Sequence, residues 1–144
     1  MEQLNDVIFY SIDKAIRTYR QYAQKELKKA GYTITIDQWL IIKNILENPD
    51  ISQQDLSEKV FKDNASVTRI IALLVKAKYL ERQVSDLDRR RTNLKVTKEG
   101  KKIITDVHTV VLKNRATALK GLSKANIENM RTSLLTIVKN CAGK

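Results

Sequence analysis

A mainly α-helical chain carrying one small β-hairpin is the fold class that these 144 residues predict. Three observations predict it. Apolar residues recur at spacings of three and four over most of the length. Helix-start signatures stand at Thr35, Ser52, Asp63-Asn64 and Ser123. A single stretch, residues 80–96, breaks into two short runs of strand character around an arginine-rich connection.

Each element has its own signal. Ile8, Ile12, Ile16, Tyr19, Ala23 and Leu27 mark an amphipathic helix of about six turns, which Gly31 ends. Thr35 with Gln38 reads as a capping box, and Ile34 with Trp39 as its hydrophobic staple. A helix over 36–46 follows, closed by Asn48-Pro49-Asp50. Ser52 and Asp55 repeat this grammar imperfectly, with Ile51 and Leu56 as staple, and predict a short helix over 53–60. Residues 61–64 form a turn in which Asp63 or Asn64 caps the next helix. That helix is expected to turn Val67, Ile70, Leu73, Leu74 and Ala77 inward and to leave Ser66, Thr68, Arg69 and Lys76 outside. A short helix, a tight turn and a second helix with a polar early face form a helix-turn-helix.

Residues 80–85 and 92–96 are the strand pair, with 86–91 between them. Thr97 starts a helix carrying Ile103, Ile104, Val107, Val110 and Val111, and Gly121 breaks it. Ser123 caps the last helix, with Leu122 and Ile127 as staple and a stripe of Ile127, Met130, Leu134, Ile137, Val138 and Cys141.

Composition narrows the partner. The hydrophobic fraction is 42% and no apolar run approaches the length that spans a bilayer. With no secretory pattern at the start and a single cysteine, Cys141, the chain reads as cytoplasmic. The formal net charge is +11, which favours an anionic partner. Residues 86–102 hold seven Lys/Arg against three Asp/Glu, beside the helix-turn-helix. Lys14, Arg17, Arg20, Lys25, Lys28 and Lys29 form another cluster, which also suits a solvated helix face.

A helix and a thin basic hairpin are two probes of different shape for double-stranded DNA. The helix fits the major groove and arginines on a ribbon reach the minor groove. Thr68 and Arg69 are the candidate base readers, and Ser66 either joins them or serves the helix cap. Gln53 and Gln54 stand at a helix start suited to phosphate. Arg89, Arg90 and Arg91 supply the hairpin's cations, and Asp88 folds back to hold one of them. The competing reading is a solvated charge run and ordinary surface residues.

The terminal stripes pose a second question. Ile8, Ile12, Met130, Leu134, Ile137 and Cys141 are expected at an interface with a second copy, against the alternative that one chain buries them itself. Tyr10, Lys14, Arg17, Tyr19 and Trp39 are candidates for a small aromatic or anionic effector, and aromatic core packing explains the same residues. An enzyme is not expected. His108 is the only histidine and reads as a packing or interface residue, so a His/Cys metal centre cannot form, and no cofactor is expected. A membrane-surface protein using the basic first helix would not need the helix-turn-helix.

From Thr35 to Gly100 the order of helix, helix-turn-helix and basic hairpin resembles the MarR family of bacterial winged helix-turn-helix regulators. Asp88-Arg89-Arg90, followed by Leu94, Val96-Thr97 and Gly100, is similar to that family's wing and the run after it. Ser66-Val67-Thr68-Arg69 with Leu73-Leu74 and Leu80 resembles its recognition helix and the step into the wing. The resemblance implies a winged lobe over 35–100 within one unit of 1–144, and dimerisation helices over 1–31 and 101–144. It implies a homodimer on an inverted-repeat operator, with Arg90 at the wing tip and Asp88 positioning it. Repression relieved by a small aromatic anion is the family habit; an activator, or a DNA-binding protein with no ligand, is the alternative. Two departures stand out. Lys78 occupies a place where glycine is usual, and a left-handed backbone there would cost about 1 kcal/mol. Cys141 lies far from the family's usual N-terminal sensor cysteine and is expected to be buried packing, which disfavours thiol sensing.

Overall fold

Six α-helices and a two-stranded hairpin follow one another among the described residues of the computed structural model, which are 1–84 and 92–143, with the backbone alone at Thr92. After a 3-10 turn at Leu4–Asp6 come α1 (Ile8–Lys29), α2 (Ile36–Glu47), α3 (Gln53–Lys59) and α4 (Asn64–Lys76). The hairpin β1 (Leu80–Val84) and β2 (Thr92–Val96) precedes α5 (Lys98–Ala118) and α6 (Lys124–Cys141). The chain forms two compact units, Met1–Asn114 and Arg115–Lys144.

The helix starts are side-chain built. Thr35 Oγ1 accepts from the Gln38 N–H at 3.0 Å while Gln38 Oε1 accepts from the Thr35 N–H at 3.0 Å, a full capping box. Ser52 accepts from Asp55 N–H at 3.1 Å without the reciprocal bond, because Asp55 is one methylene shorter than the glutamate a box needs. Of the two candidates for the fourth helix, Asp63 is the cap, accepting from Ser66 N–H at 2.7 Å.

Three helix ends share one geometry. After α1, Gly31 N–H bonds to the Lys28 carbonyl and Tyr32 N–H to the Leu27 carbonyl, with Gly31 at φ +93°. The same pair of bonds closes α3 through Phe61 and Lys62, and α4 through Lys78 and Tyr79. Phe61 and Lys78 therefore take the left-handed conformation, at φ 61° and 68°. Lys78 thus confirms the strained backbone that its place in the chain raised, and Phe61 adds a second instance.

The first unit is organised about α2, whose Ile41, Ile42 and Ile45 are buried. They share one apolar cluster with Leu27 of α1, Leu56 of α3, Val67, Ile71 and Leu74 of α4, Leu80 and Val96 of the hairpin and Val107 of α5. Burying each such side chain contributes about 1.5–3 kcal/mol, which is what holds a seven-residue helix like α3 in place. Polar ties reinforce it. Gln24 of α1 donates to the Ile34 carbonyl at 3.2 Å and accepts from Ile36 N–H at 3.0 Å, fixing the chain into α2. Tyr32 Oη donates to the Asp106 carbonyl at 3.3 Å.

Several inward expectations are corrected. On α4 the buried face is Val67, Ile71 and Leu74, while Leu73 and Ala77 are exposed. Leu73 lies about a third of a turn from that face, so its leucine identity does not decide its burial. Of the two readings of His108, packing within the chain is corrected, since the residue is exposed and α5 buries the face of Val107 and Asn114, and the interface reading stands as an expectation. The first helix is split: Ala23 and Leu27 join the core, and Ile8 and Ile16 do not.

In the second unit, Ser123 and Asn126 cap α6 with a reciprocal box, at 3.0 and 3.2 Å. No residue of α6 is buried. Cys141 is exposed, so the expectation of buried packing fails within the chain.

Candidate nucleic-acid interface

The turn between α3 and α4 is locked by a side chain that sequence reasoning passed over. Ser57 is buried, and its Oγ lies 2.9 Å from the Gln53 carbonyl and 2.7 Å from the Asn64 side-chain amide. One hydroxyl has one proton, so it donates to one neighbour, and the second bond is satisfied if the amide turns its N–H toward Ser57. The pair ties the middle of α3 to the first residue of α4. A serine four residues into a short helix carries no distinctive pattern, which is why it was missed.

Beyond this lock the polar candidates meet on an exposed face. Gln53 Nε2 donates to Thr68 Oγ1 at 2.7 Å, and Thr68 Oγ1 donates in turn to the Asn64 carbonyl at 2.8 Å. Arg69 Nη2 donates to Ser66 Oγ at 3.2 Å. Gln53, Thr68 and Arg69 are exposed and Ser66 is half-buried. Four of the five candidates on the two helices are thus joined in two pairs. The fifth, Gln54, is exposed on the rim of a shallow groove that also meets Phe61, Lys62 and Asn64.

Electrostatics set the frame of this face. The N–H and hydroxyl of Ser66 hold the Asp63 carboxyl below its ordinary value, and Arg69 adds to the effect. On the inner side of the turn, Asp37 at the start of α2 receives Arg20 of α1 at 3.1 Å and Lys62 at 3.3 Å. Asp37 is half-buried, so this shared carboxylate couples α1, α2 and the turn more firmly than a fully solvated pair would.

The hairpin pairs antiparallel, from Leu80 opposite Val96 to Val84 opposite Thr92. Leu80 and Val96 are buried at its base, and Glu81 stands opposite Lys95. Asp88, Arg89, Arg90 and Arg91 lie outside the described residues.

The effector candidates are distributed over two helices. Tyr10, Lys14 and Arg17 are exposed on α1, and Tyr19 is half-buried there. Arg17 Nε donates to Asp13 at 2.9 Å on its own helix. Trp39 packs against the core, with Lys43 Nζ 6.0 Å from its ring centre. Of the interface candidates, Ile8, Met130, Leu134 and Cys141 are exposed, and Ile12 and Ile137 are half-buried. Among the described residues no cluster of three or more His, Cys, Asp or Glu could hold a metal, and no helix is long and apolar enough to cross a membrane.

Known proteins resemble this chain in part of its sequence and in its fold. The model of the MarR family matches residues 25–91. A probable transcriptional regulator from Pseudomonas aeruginosa superposes with a TM-score of 0.83 at 21% identity, over 94% of this chain and 99% of that one. BpsR of Bordetella bronchiseptica, whose DNA binding is regulated by 6-hydroxynicotinic acid, gives 0.82 at 15% identity, over 100% and 99%. MepR of S. aureus, solved as a DNA complex, gives 0.78 at 19% identity, over 94% and 96%. At these identities the structural likeness is one of fold. The family is one of DNA-binding regulators and not of enzymes.

Proposed function

We propose that this chain, a MarR-family winged helix-turn-helix protein, is a cytoplasmic transcriptional repressor that binds an inverted-repeat operator in double-stranded DNA as a homodimer. The observation that carries the reading is the exposed pairing of Gln53 with Thr68 and of Ser66 with Arg69 on the outer face of α3 and α4. Side chains held in place before binding lose less freedom when they meet a base edge. In this reading α4 enters the major groove, Gln54 and the start of α3 meet phosphate, and Arg89, Arg90 and Arg91 enter the minor groove with Asp88 orienting Arg90. The net charge of +11 supports attraction to the duplex.

Dimerisation is supported by the exposed apolar residues Ile8, Met130 and Leu134. Two-fold symmetry would set the recognition helices about 34 Å apart. A small aromatic or anionic effector at Tyr10, Lys14, Arg17, Tyr19 and Trp39 takes its support from BpsR, which responds to such a molecule. An activator on the same scaffold, or a DNA-binding protein indifferent to ligands, is the second reading.

Titration onto duplexes enriched from a random pool, at two salt concentrations and with stoichiometry recorded, tests the proposal. Two chains on an inverted repeat, far tighter than on random duplex, is the expected result. Weak, sequence-blind and steeply salt-dependent binding would refute it. Arg69→Ala should relax base preference by about 1–3 kcal/mol, and Arg90→Ala should weaken binding most on A·T-rich flanks.

A further inference from the structure

We infer that Thr68 recognises a thymine through its γ-methyl group, and that Gln53 is the positioning residue that makes it do so. The inference rests on the DNA-binding reading above and concerns what the recognition helix can read.

A threonine hydroxyl has one proton and two lone pairs. In Thr68 the proton is given to the Asn64 carbonyl at 2.8 Å and one lone pair receives Gln53 Nε2 at 2.7 Å. The exposed side chain therefore has no donor left for a base. In the major groove guanine offers two acceptors, N7 and O6, and neither can be met by a group without a proton. The amino groups of adenine and of cytosine can each meet the single remaining lone pair, so the lone pair does not discriminate, and only the A·T pair adds a methyl for the Thr68 methyl to pack against.

Gln53 is constrained by the same bond. The bidentate contact of a glutamine with adenine needs its oxygen and its N–H together at the base edge. Here one of the two Nε2 protons goes to Thr68 across the helix-turn-helix at 2.7 Å, which fixes the plane of the amide whatever its second proton and its oxygen meet. The economical arrangement leaves that bond intact and lets Gln53 fix the rotamer of Thr68. The Ser57–Asn64 lock holds the Asn64 backbone that anchors the other side.

The test uses the full chain and the best duplex from the random pool. Each thymine is replaced in turn by deoxyuridine, which pairs identically and lacks only the methyl. One symmetry-related thymine per half-site should weaken binding by about fourfold on replacement, the worth of one buried methyl. Thr68→Val keeps the methyl and should keep that sensitivity. Thr68→Ser keeps the hydroxyl and should lose it, binding both duplexes alike. Gln53→Ala should reduce the ratio of affinities for the thymine and deoxyuridine duplexes, whatever it does to binding of both.

Sequence-specific binding that is indifferent to every deoxyuridine, or Thr68→Ser retaining the full sensitivity, would overturn the inference and leave the regulator reading standing. Binding that is equally weak on every duplex would overturn both.

Discussion

Gly100 lies flat against the Tyr79 carbonyl, with no space for a side chain between them. A Cβ placed there would collide with that oxygen and stand 2.8 Å from Val96 Cγ1. The obstacle is backbone on one side and a buried β-strand residue on the other, so neither can step aside cheaply. Gly100→Ala should destabilise the fold by about 1–3 kcal/mol, read as a lowered denaturant midpoint. An unchanged midpoint would mean that the first turn of α5 can slide from the hairpin.

Phe61 and Lys78 give the opposite expectation. Both hold left-handed backbone that glycine adopts without cost, and Phe61 is 84% exposed, so its ring contributes little burial. Phe61→Gly and Lys78→Gly should each raise stability by up to about 1 kcal/mol in chemical denaturation. A loss instead of a gain would show that the side chains have packing worth more than the strain.

Asp63 sets an acid limit. Its carboxyl is held below the ordinary value of 3.8, first by the backbone N–H of Ser66 and then by its hydroxyl. The folded value is the lower one, so the cap's contribution is complete above the unfolded value and is lost as pH falls through the folded one. Asp63→Asn keeps an acceptor and cannot titrate. Its stability should therefore fall less than that of the parent chain below about pH 4. Identical acid slopes for the two proteins would place the titration elsewhere.

Leu134 tests the second copy. It is exposed on the stripe of α6, a helix with no buried residue. Leu134→Asp should shift sedimentation from two chains toward one and weaken binding to an inverted repeat while leaving the helical content of the chain intact. A parent chain that sediments as a monomer at every concentration would refute the interface.

Much of this architecture is legible before any coordinates. Thr35, Ser52 and Ser123 announce helix starts because a cap is a local bond between residues three apart, and local bonds leave local patterns. Helix ends are only partly legible. Gly31 declares one, whereas Phe61 and Lys78 do the same work without the residue that signals it. Leu73 shows the limit of apolar counting on a half-buried helix, where a position's angle outweighs its side chain. At the interface Gln53, Ser66, Thr68 and Arg69 are recognisable singly from their place in the helix-turn-helix. The pairing of Gln53 with Thr68 is not, because fifteen residues and the geometry of a turn lie between them. The Ser57 to Asn64 lock was hidden for the same reason. Cys141 is exposed within the chain, as Leu134 and Val138 of the same stripe are, because an apolar stripe does not say whether its own chain covers it.

Thr97 has a mechanical role. Its hydroxyl donates to the Lys78 carbonyl at 2.6 Å and accepts from Gly100 N–H at 3.0 Å, while its own N–H donates to the Tyr79 carbonyl at 3.1 Å. The exit of α4, the foot of the hairpin and the first turn of α5 meet at this one residue. Such a joint has almost no slack. A torque on the first turn of α5 would reach the foot of the hairpin and the exit of α4 through the same residue.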